Sequence, residues 1–194
     1  MQYPKLIEAY QAARDTPSDI YEHVPCLRRL AEQSERIVEF GVRLGVSTTA
    51  LLAGSIHGKL LGMTSYDINV PSNIKHLQSL APGIWKFVTA SSLEVEIPQT
   101  DLLLIDTKHT QEQLYRELSL YHYKVDHRIV IHDTELFKYD GEGKNQKGKG
   151  LASAINQFLS ENTEWFVSEH HPFNNGLTVI SRLTSDKPSV VIAL

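Results

Sequence analysis

Short apolar runs along this chain alternate with stretches in which apolar residues recur every three or four positions. Ile20, Val24, Leu27 and Ala31 form one such stripe, the buried face of an amphipathic helix. Thr16-Pro17-Ser18-Asp19 predicts where that helix begins, with Thr16 as cap, Pro17 at the first helical position and an acid three residues after the cap. A β-rich run, 36–40, closes at Gly41, and the small-residue and Leu-rich stretch 47–54 predicts the next helix. The alternation then repeats: strand over 59–67, helix over 73–80, strand over 85–90, and a fourth strand over 101–106 that is apolar enough to be buried on both faces. Leu114, Leu118 and Tyr121 mark a further helix, 128–131 a fifth strand, and Leu151, Ile155, Phe158 and Leu159 another helix. Trp165-Phe166-Val167 opens a sixth strand. Asn174-Asn175-Gly176 is a turn signal before the apolar run 177–180, so the last two strands are expected to pair antiparallel.

Strands alternating with helices over short connections specify an α/β fold: a Rossmann-like, doubly wound, seven-stranded sheet, mostly parallel with an antiparallel C-terminal hairpin. The organisation expected is a single domain, with an N-terminal helical segment over 1–35 packed on a Rossmann-like body over 36–194. The exception to compactness is 138–150, where Gly141, Gly143, Gly148 and Gly150 interleave with Lys138, Lys144, Lys147 and Lys149 without apolar period. It reads either as a solvated connection or as a lid, and its place after the fifth strand favours the lid.

Composition narrows the chemistry. At 194 residues, 41% hydrophobic and 22% charged, the chain suits one globular core and excludes disordered or collagen-like classes. The formal charge of −4 argues against a nucleic-acid partner, which needs a basic face. There is one cysteine, Cys26, so no internal disulfide and no thiolate cluster is expected, and a metal would fall to His, Asp or Glu. No apolar stretch approaches a membrane span and the N-terminus has no signal-like apolar core, so the expected location is cytoplasmic. The apolar C-terminus, 190–194, would seek a partner surface if exposed, which suggests a homo-oligomer.

In such a sheet, ligands bind beyond the carboxyl ends of the strands, where strand order reverses. The first strand ends in Glu39-Phe40-Gly41-Val42-Arg43-Leu44-Gly45-Val46-Ser47. Gly41 and Gly45 permit a sharp turn close to a ligand and Ser47 can cap the following helix, but this is not Gly-x-Gly-x-x-Gly. Glu39 would repel a phosphate and suits a positively charged nucleoside instead. Asp67 after the second strand can accept ribose hydroxyls, and Ser91 and Ser92 after the third can rim an adenine pocket. Two sharper pairs follow: Asp106 with His109 after the fourth strand, and His132 with Asp133 after the fifth. If those strands are neighbours, two carboxylates and two imidazoles converge, enough to hold a divalent cation, leave positions for a substrate oxygen and supply a base. Capping acids and rim histidines would explain either pair alone; two at successive strand ends favour chemistry. Of the other histidines, His23, His57 and His76 are expected at the surface and His122 and His127 in solvent. His170 and His171 lie at the same sheet edge as the pairs.

Read together, these motifs resemble class I S-adenosylmethionine (SAM)-dependent methyltransferases. The resemblance is closest to the branch with cephalosporin-hydroxylase-like, macrolide-sugar and rhamnosyl O-methyltransferases. Val38-Glu39-Phe40-Gly41-Val42-x-x-Gly45-x-Ser47 is similar to the family's first cofactor motif. Asp101-Leu102-Leu103-Leu104-Ile105-Asp106-x-x-His109-Thr110 is similar to its fourth-strand motif, and Ile131-His132-Asp133-Thr134 and Asn175-Gly176-Leu177 to its later ones. The resemblance implies that Glu39, Gly41, Gly45 and Ser47 surround the methionine part of the cofactor, with Asp67 on the ribose, Ser91 and Ser92 beside the adenine, and Asp106 also in the cofactor site. It implies catalytic roles for Asp106 and His109, with His109 as general base, and a metal site for Mg²⁺ or another divalent cation at Asp106, His132 and Asp133. His132 stands where metal-dependent members carry Glu, which softens the site toward borderline metals or removes one ligand. The acceptor so implied is a small molecule or glycan, methylated on a hydroxyl of a sugar or sugar-bearing metabolite. Two other readings share the fold: a nicotinamide-dependent oxidoreductase, disfavoured by the missing glycine fingerprint, and a non-catalytic SAM-binding module, which has no need of converging titratable groups.

Overall fold

A computed structural model describes residues 4–183. Among the described residues six α-helices and seven strands follow in chain order as α1 (Pro4–Asp15), α2 (Val24–Glu32), β1 (Arg36–Phe40), α3 (Val46–Ala53), β2 (Gly62–Asp67), α4 (Ile74–Leu80), β3 (Trp85–Thr89), β4 (Thr100–Ile105), α5 (Gln111–Tyr121), β5 (Val125–His132), α6 (Leu151–Glu161), β6 (Trp165–His171) and β7 (Leu177–Arg182). One sheet contains all seven strands in the order β3-β2-β1-β4-β5-β7-β6. β1 through β5 pair in parallel, and β7 runs antiparallel to both β5 and β6. The expected mostly parallel, doubly wound sheet with an antiparallel C-terminal hairpin is what forms.

The two-residue period of the strands divides the core into two layers. Ile37, Leu102, Leu104 and Val130 face α1, α2, α3 and α4 through Leu6, Leu27, Leu30, Leu51 and Leu77. Their chain neighbours Val38, Leu103, Ile105, Ile129 and Ile131 face α5 and α6 through Leu114, Leu118, Ile155 and Phe158. All six residues of β4 are buried, as its unbroken apolar run requires.

The N-terminal reading needs correction. α1 falls within the expected N-terminal helical segment, and the helix signal at Thr16 is its exit: the Thr16 amide donates to the Ala12 carbonyl, and Pro17 disfavours helical backbone at the residue before it. The stripe Ile20, Val24, Leu27, Ala31 is buried as expected, but its helix starts only after a single 3₁₀ turn over Tyr21–His23. A distant residue fixes this connection: the Asn174 side chain, in the β6–β7 turn, donates to the Ser18 carbonyl at 2.9 Å and accepts from the Glu22 amide at 3.1 Å. The second strand is also shorter than expected, beginning at Gly62 rather than Lys59. Residues 190–194, the expected partner surface, lie outside the described residues. Among the described residues no helix is long and apolar enough to cross a membrane.

Candidate functional site

Strand order reverses between β1 and β4, so the loops leaving these strands flank one crevice. Gly41 (φ +89°) begins the β1 loop, and a Cβ there would lie 1.8 Å from the Asp106 carbonyl oxygen. Gly45 (φ +77°) starts α3 against the side chain of Leu77, 2.6 Å from where its Cβ would be. At both positions any other residue meets a strained backbone and occupied space. Between them Arg43 also takes a left-handed conformation (φ +49°) and pairs with Asp19.

Asp67, at the end of β2, holds this loop in place. One of its carboxylate oxygens accepts the amides of Val42 at 2.8 Å and Arg43 at 3.0 Å, and the other accepts that of Asn69 at 2.8 Å. A carboxylate offers about four lone-pair sites, so capacity for about one more donor, such as a hydroxyl of a bound molecule, is left. Asp67 and Arg43 line an open pocket of about 260 Å³ with Asn69, Val70, Pro71 and Ser72.

Glu39 does not face this crevice. Its side chain is fully buried and accepts hydrogen bonds from Ser47 at 2.7 Å, Thr48 at 2.8 Å and Ser65 at 2.6 Å, tying β1 to the first turn of α3 and to β2. Burial raises its pKa to about 7 against the pull of those three hydroxyls. Ser47, expected as a helix cap, is inside α3 with its hydroxyl turned to Glu39, and the cap position is Gly45. Ser91 forms a turn, its hydroxyl accepting from the Leu93 amide. Ser92 is buried and donates to Glu117 at 2.5 Å. Glu117 also receives bonds from Gln113 and Thr107, and burial raises its pKa.

β4 and β5 are neighbours, and the two acid–imidazole pairs at their ends do meet. His109 Nε2 lies 2.9 Å from Asp133 Oδ2 and 3.3 Å from Asp106 Oδ1, and its Nδ1 lies 3.1 Å from Glu142. The ring stacks on Phe137 with centroids 4.6 Å apart. Burial disfavours its charged form, but bonds to Asp106 and Asp133 outweigh that and carry its pKa up to about 10. In this arrangement His109 is an imidazolium, already holding the proton that a general base would accept. The cause is the pair of aspartates, Asp106 and Asp133, facing its Nε2. Burial likewise works against the Asp106 carboxylate, but His109 and His132 hold its pKa well below the usual range.

His132 is buried, and its Nε2 donates to the Asp19 carbonyl at 3.1 Å. That fixes Nδ1 as the atom facing Asp106 Oδ1 at 3.4 Å and Asp133 Oδ1 at 3.5 Å. Asp133 adopts a left-handed backbone (φ +59°), the kind of strain that packing sustains at functional sites. His23, expected at the surface, is instead fully buried: it sits edge-on to His132 at 5.7 Å, and burial followed by repulsion from His132 lowers its pKa to about 4. His57, His76 and His127 are exposed, and His122 is half-buried. His170 bonds Thr178 and Glu135.

A divalent cation fits this donor set. Asp106 and Asp133 each bring a carboxylate oxygen to one place, both beside His109 Nε2. Two further buried atoms facing the same place, His132 Nδ1 and Asp133 Oδ1, have no hydrogen-bond partner. The loop 138–150 closes over one side: the Glu142 amide donates to the His109 carbonyl at 2.8 Å, and the Gln111 amide donates to the Lys149 carbonyl at 2.9 Å.

Sequence reasoning missed four contributors. Glu117 was detectable in principle, because it falls on the buried stripe of Leu114, Leu118 and Tyr121. Glu142, Phe137 and the buried role of His23 arise from contacts that carry no periodic signal.

No family model and no curated protein sequence matches the chain. Solved structures do resemble it. They include the S-adenosylhomocysteine-bound methyltransferase PaMTH1 of Podospora anserina (TM-score 0.64, 16% identity, covering 93% of this chain and 88% of that one). An O-methyltransferase from Bacillus cereus in complex with S-adenosylhomocysteine aligns with TM-score 0.63 at 13% identity, over 92% and 90% of the two chains. The N-methyltransferase NodS of Bradyrhizobium japonicum aligns with TM-score 0.61 at 15% identity, over 87% and 98%. The shared property is the fold: a Rossmann-like α/β sheet, mostly parallel with an antiparallel C-terminal hairpin.

Proposed function

We propose that the protein is a SAM-dependent methyltransferase that methylates a hydroxyl of a sugar, glycan or sugar-bearing metabolite, assisted by a divalent metal. The observation that carries this reading is the convergence of Asp106, His109, His132 and Asp133 beside the Gly41 turn, in a fold shared with S-adenosylhomocysteine-bound methyltransferases. In it, the glycine turn admits the cofactor close to the backbone, Asp67 accepts its ribose hydroxyls, and Arg43 offers a cation to its carboxylate. Glu39 and Ser92 act from behind, Glu39 holding the start of α3 at Gly45 and Ser47 and Ser92 holding the turn at Ser91, rather than touching the cofactor. The N-terminal helical segment belongs to the same domain as the sheet and supplies the Asp19 carbonyl that orients His132.

A sulfonium methyl is already activated, so the remaining work is to align an acceptor oxygen in line with it and to remove that oxygen's proton. Asp106, Asp133 and His132 are the residues that would hold the metal. A divalent cation held there would lower the pKa of the acceptor hydroxyl, and ligation of Asp106 and Asp133 would let His109 shed its proton to solvent and stand ready as the base. His109 then receives the proton, with Phe137 and Glu142 fixing the plane of its ring. Incubation with methyl-labelled SAM and a panel of free and nucleotide-linked sugars, with and without Mg²⁺ or Mn²⁺, tests the proposal. Label transfer to a sugar hydroxyl is expected; transfer to none of the panel removes the substrate assignment. His109→Ala is expected to retain cofactor binding and lose turnover about 10²-fold or more.

A further inference from the structure

Cys26 stands apart from the crevice, on α2, where helix and edge strand meet. Glu169 and His171 alternate on one face of β6, two residues apart, just beyond an irregularity in its pairing with β7 between Val167 and Glu169. Their side chains reach Cys26: Sγ lies 3.7 Å from His171 Nε2 and 3.8 Å from Glu169 Oε2, and the latter two atoms are 3.2 Å apart. Around a tetrahedral zinc, with Zn–S of about 2.3 Å and Zn–N or Zn–O of about 2.0 Å, ligand atoms are separated by about 3.3–3.6 Å. The three donors therefore stand close to the spacing that one small cation imposes. A cation already occupies the cluster's flank: the Arg29 guanidinium, half-exposed, lies 2.5 Å from Glu169 Oε2 and 3.3 Å from Cys26 Sγ.

We propose that Cys26, Glu169 and His171 form a zinc site, separate from the Asp106–Asp133 site, that clips α2 to the edge strand β6 and leaves a fourth position open to water. On binding, a sulfur–zinc bond forms as the Cys26 thiol gives up its proton to solvent, Glu169 and the neutral imidazole of His171 complete the protein ligands, and the Arg29 side chain swings out. No step involves oxidation. Such a site would add a thiolate to the His, Asp and Glu ligands that the composition points to. A lone thiol acquires its partners from residues more than 140 positions later, and no spacing motif reveals them.

Cobalt(II) titration of the metal-stripped full-length protein tests this. Cys26 is the only cysteine, so a thiolate-to-cobalt charge-transfer band in the near ultraviolet can arise only here. The band is expected in the wild type, absent in Cys26→Ser, weakened at least tenfold in apparent affinity in His171→Ala, and bleached by stoichiometric zinc. Arg29→Gln, which removes the competing cation, is expected to bind at least threefold more tightly. Absence of the band in the wild type, or an affinity unchanged in His171→Ala, overturns the site. Unchanged or weaker binding in Arg29→Gln overturns the exchange of arginine for metal.

Discussion

Two carboxylates one strand apart illustrate how differently a buried acid can be used. Glu39, on β1, faces three hydroxyl donors, all within 2.8 Å, and is sealed from solvent. Asp106, just after β4, faces two imidazoles at 3.3 and 3.4 Å, keeps part of its surface open, and has a neighbour, Asp133, with an unpartnered oxygen. The first cluster is closed and satisfied, which is what rigidity needs. The second is charged, strained and incompletely satisfied, which a folded protein retains only where something else completes it. The residue type and its position at a strand end do not separate the two; the donors around it do.

Perturbing the contact between the two clusters is expected to have the largest effect. Gly41→Ala places a methyl 1.8 Å from the Asp106 carbonyl at a positive φ, and a loss on the order of 3 kcal/mol or more is expected in urea unfolding, together with loss of cofactor binding. A variant as stable as wild type would mean that the turn is not built as described. Glu39→Ala comes next: it strands three buried hydroxyls and should cost about 2–4 kcal/mol without altering the charge around His109. An equal loss in Glu39→Gln would show that the negative charge, rather than the acceptors, is what the loop needs.

The clusters should also separate by pH, in protein freed of metal. Glu39 has its folded pKa raised from 4.5 to about 7, so its contribution is fully present below pH 4.5 and is lost as pH rises toward 7, by about 3 kcal/mol. Glu39→Gln, which mimics the protonated acid, should therefore gain on wild type across that window. His109 is raised from 6.5 to about 10, so its contribution persists to higher pH and is lost between about 6.5 and 10. The stability difference between wild type and His109→Gln should shrink across that second window. Coincident windows in urea titrations at stepped pH would mean that the two networks are one. The smallest effect expected is that of Glu142→Gln, which loosens one contact to His109: faster amide exchange over 138–150 and a change in turnover of less than about tenfold.

What the sequence reveals of this architecture follows from how local the cause is. The strands are legible because burial on both faces writes an unbroken apolar run, as in Leu102-Leu103-Leu104-Ile105, and because alternate residues feed opposite layers. The convergence of Asp106 with Asp133 is legible too, since adjacent parallel strands deliver their ends to one place. The start of α2 is not, because Asn174, more than 150 residues away, decides it. Nor is the contact of His109 Nδ1 with Glu142, which comes from a loop without apolar period. Glu39 shows the opposite error, where a motif position suggests ligand contact and the hydroxyls of Ser47, Thr48 and Ser65 close it off.

Binding of S-adenosylhomocysteine to the purified protein, followed by calorimetry beside NAD, tests the central claim most directly. The account predicts saturable one-to-one binding of S-adenosylhomocysteine that Gly41→Ala abolishes and His109→Ala leaves intact, with no binding of NAD. Binding of NAD without binding of S-adenosylhomocysteine would contradict it.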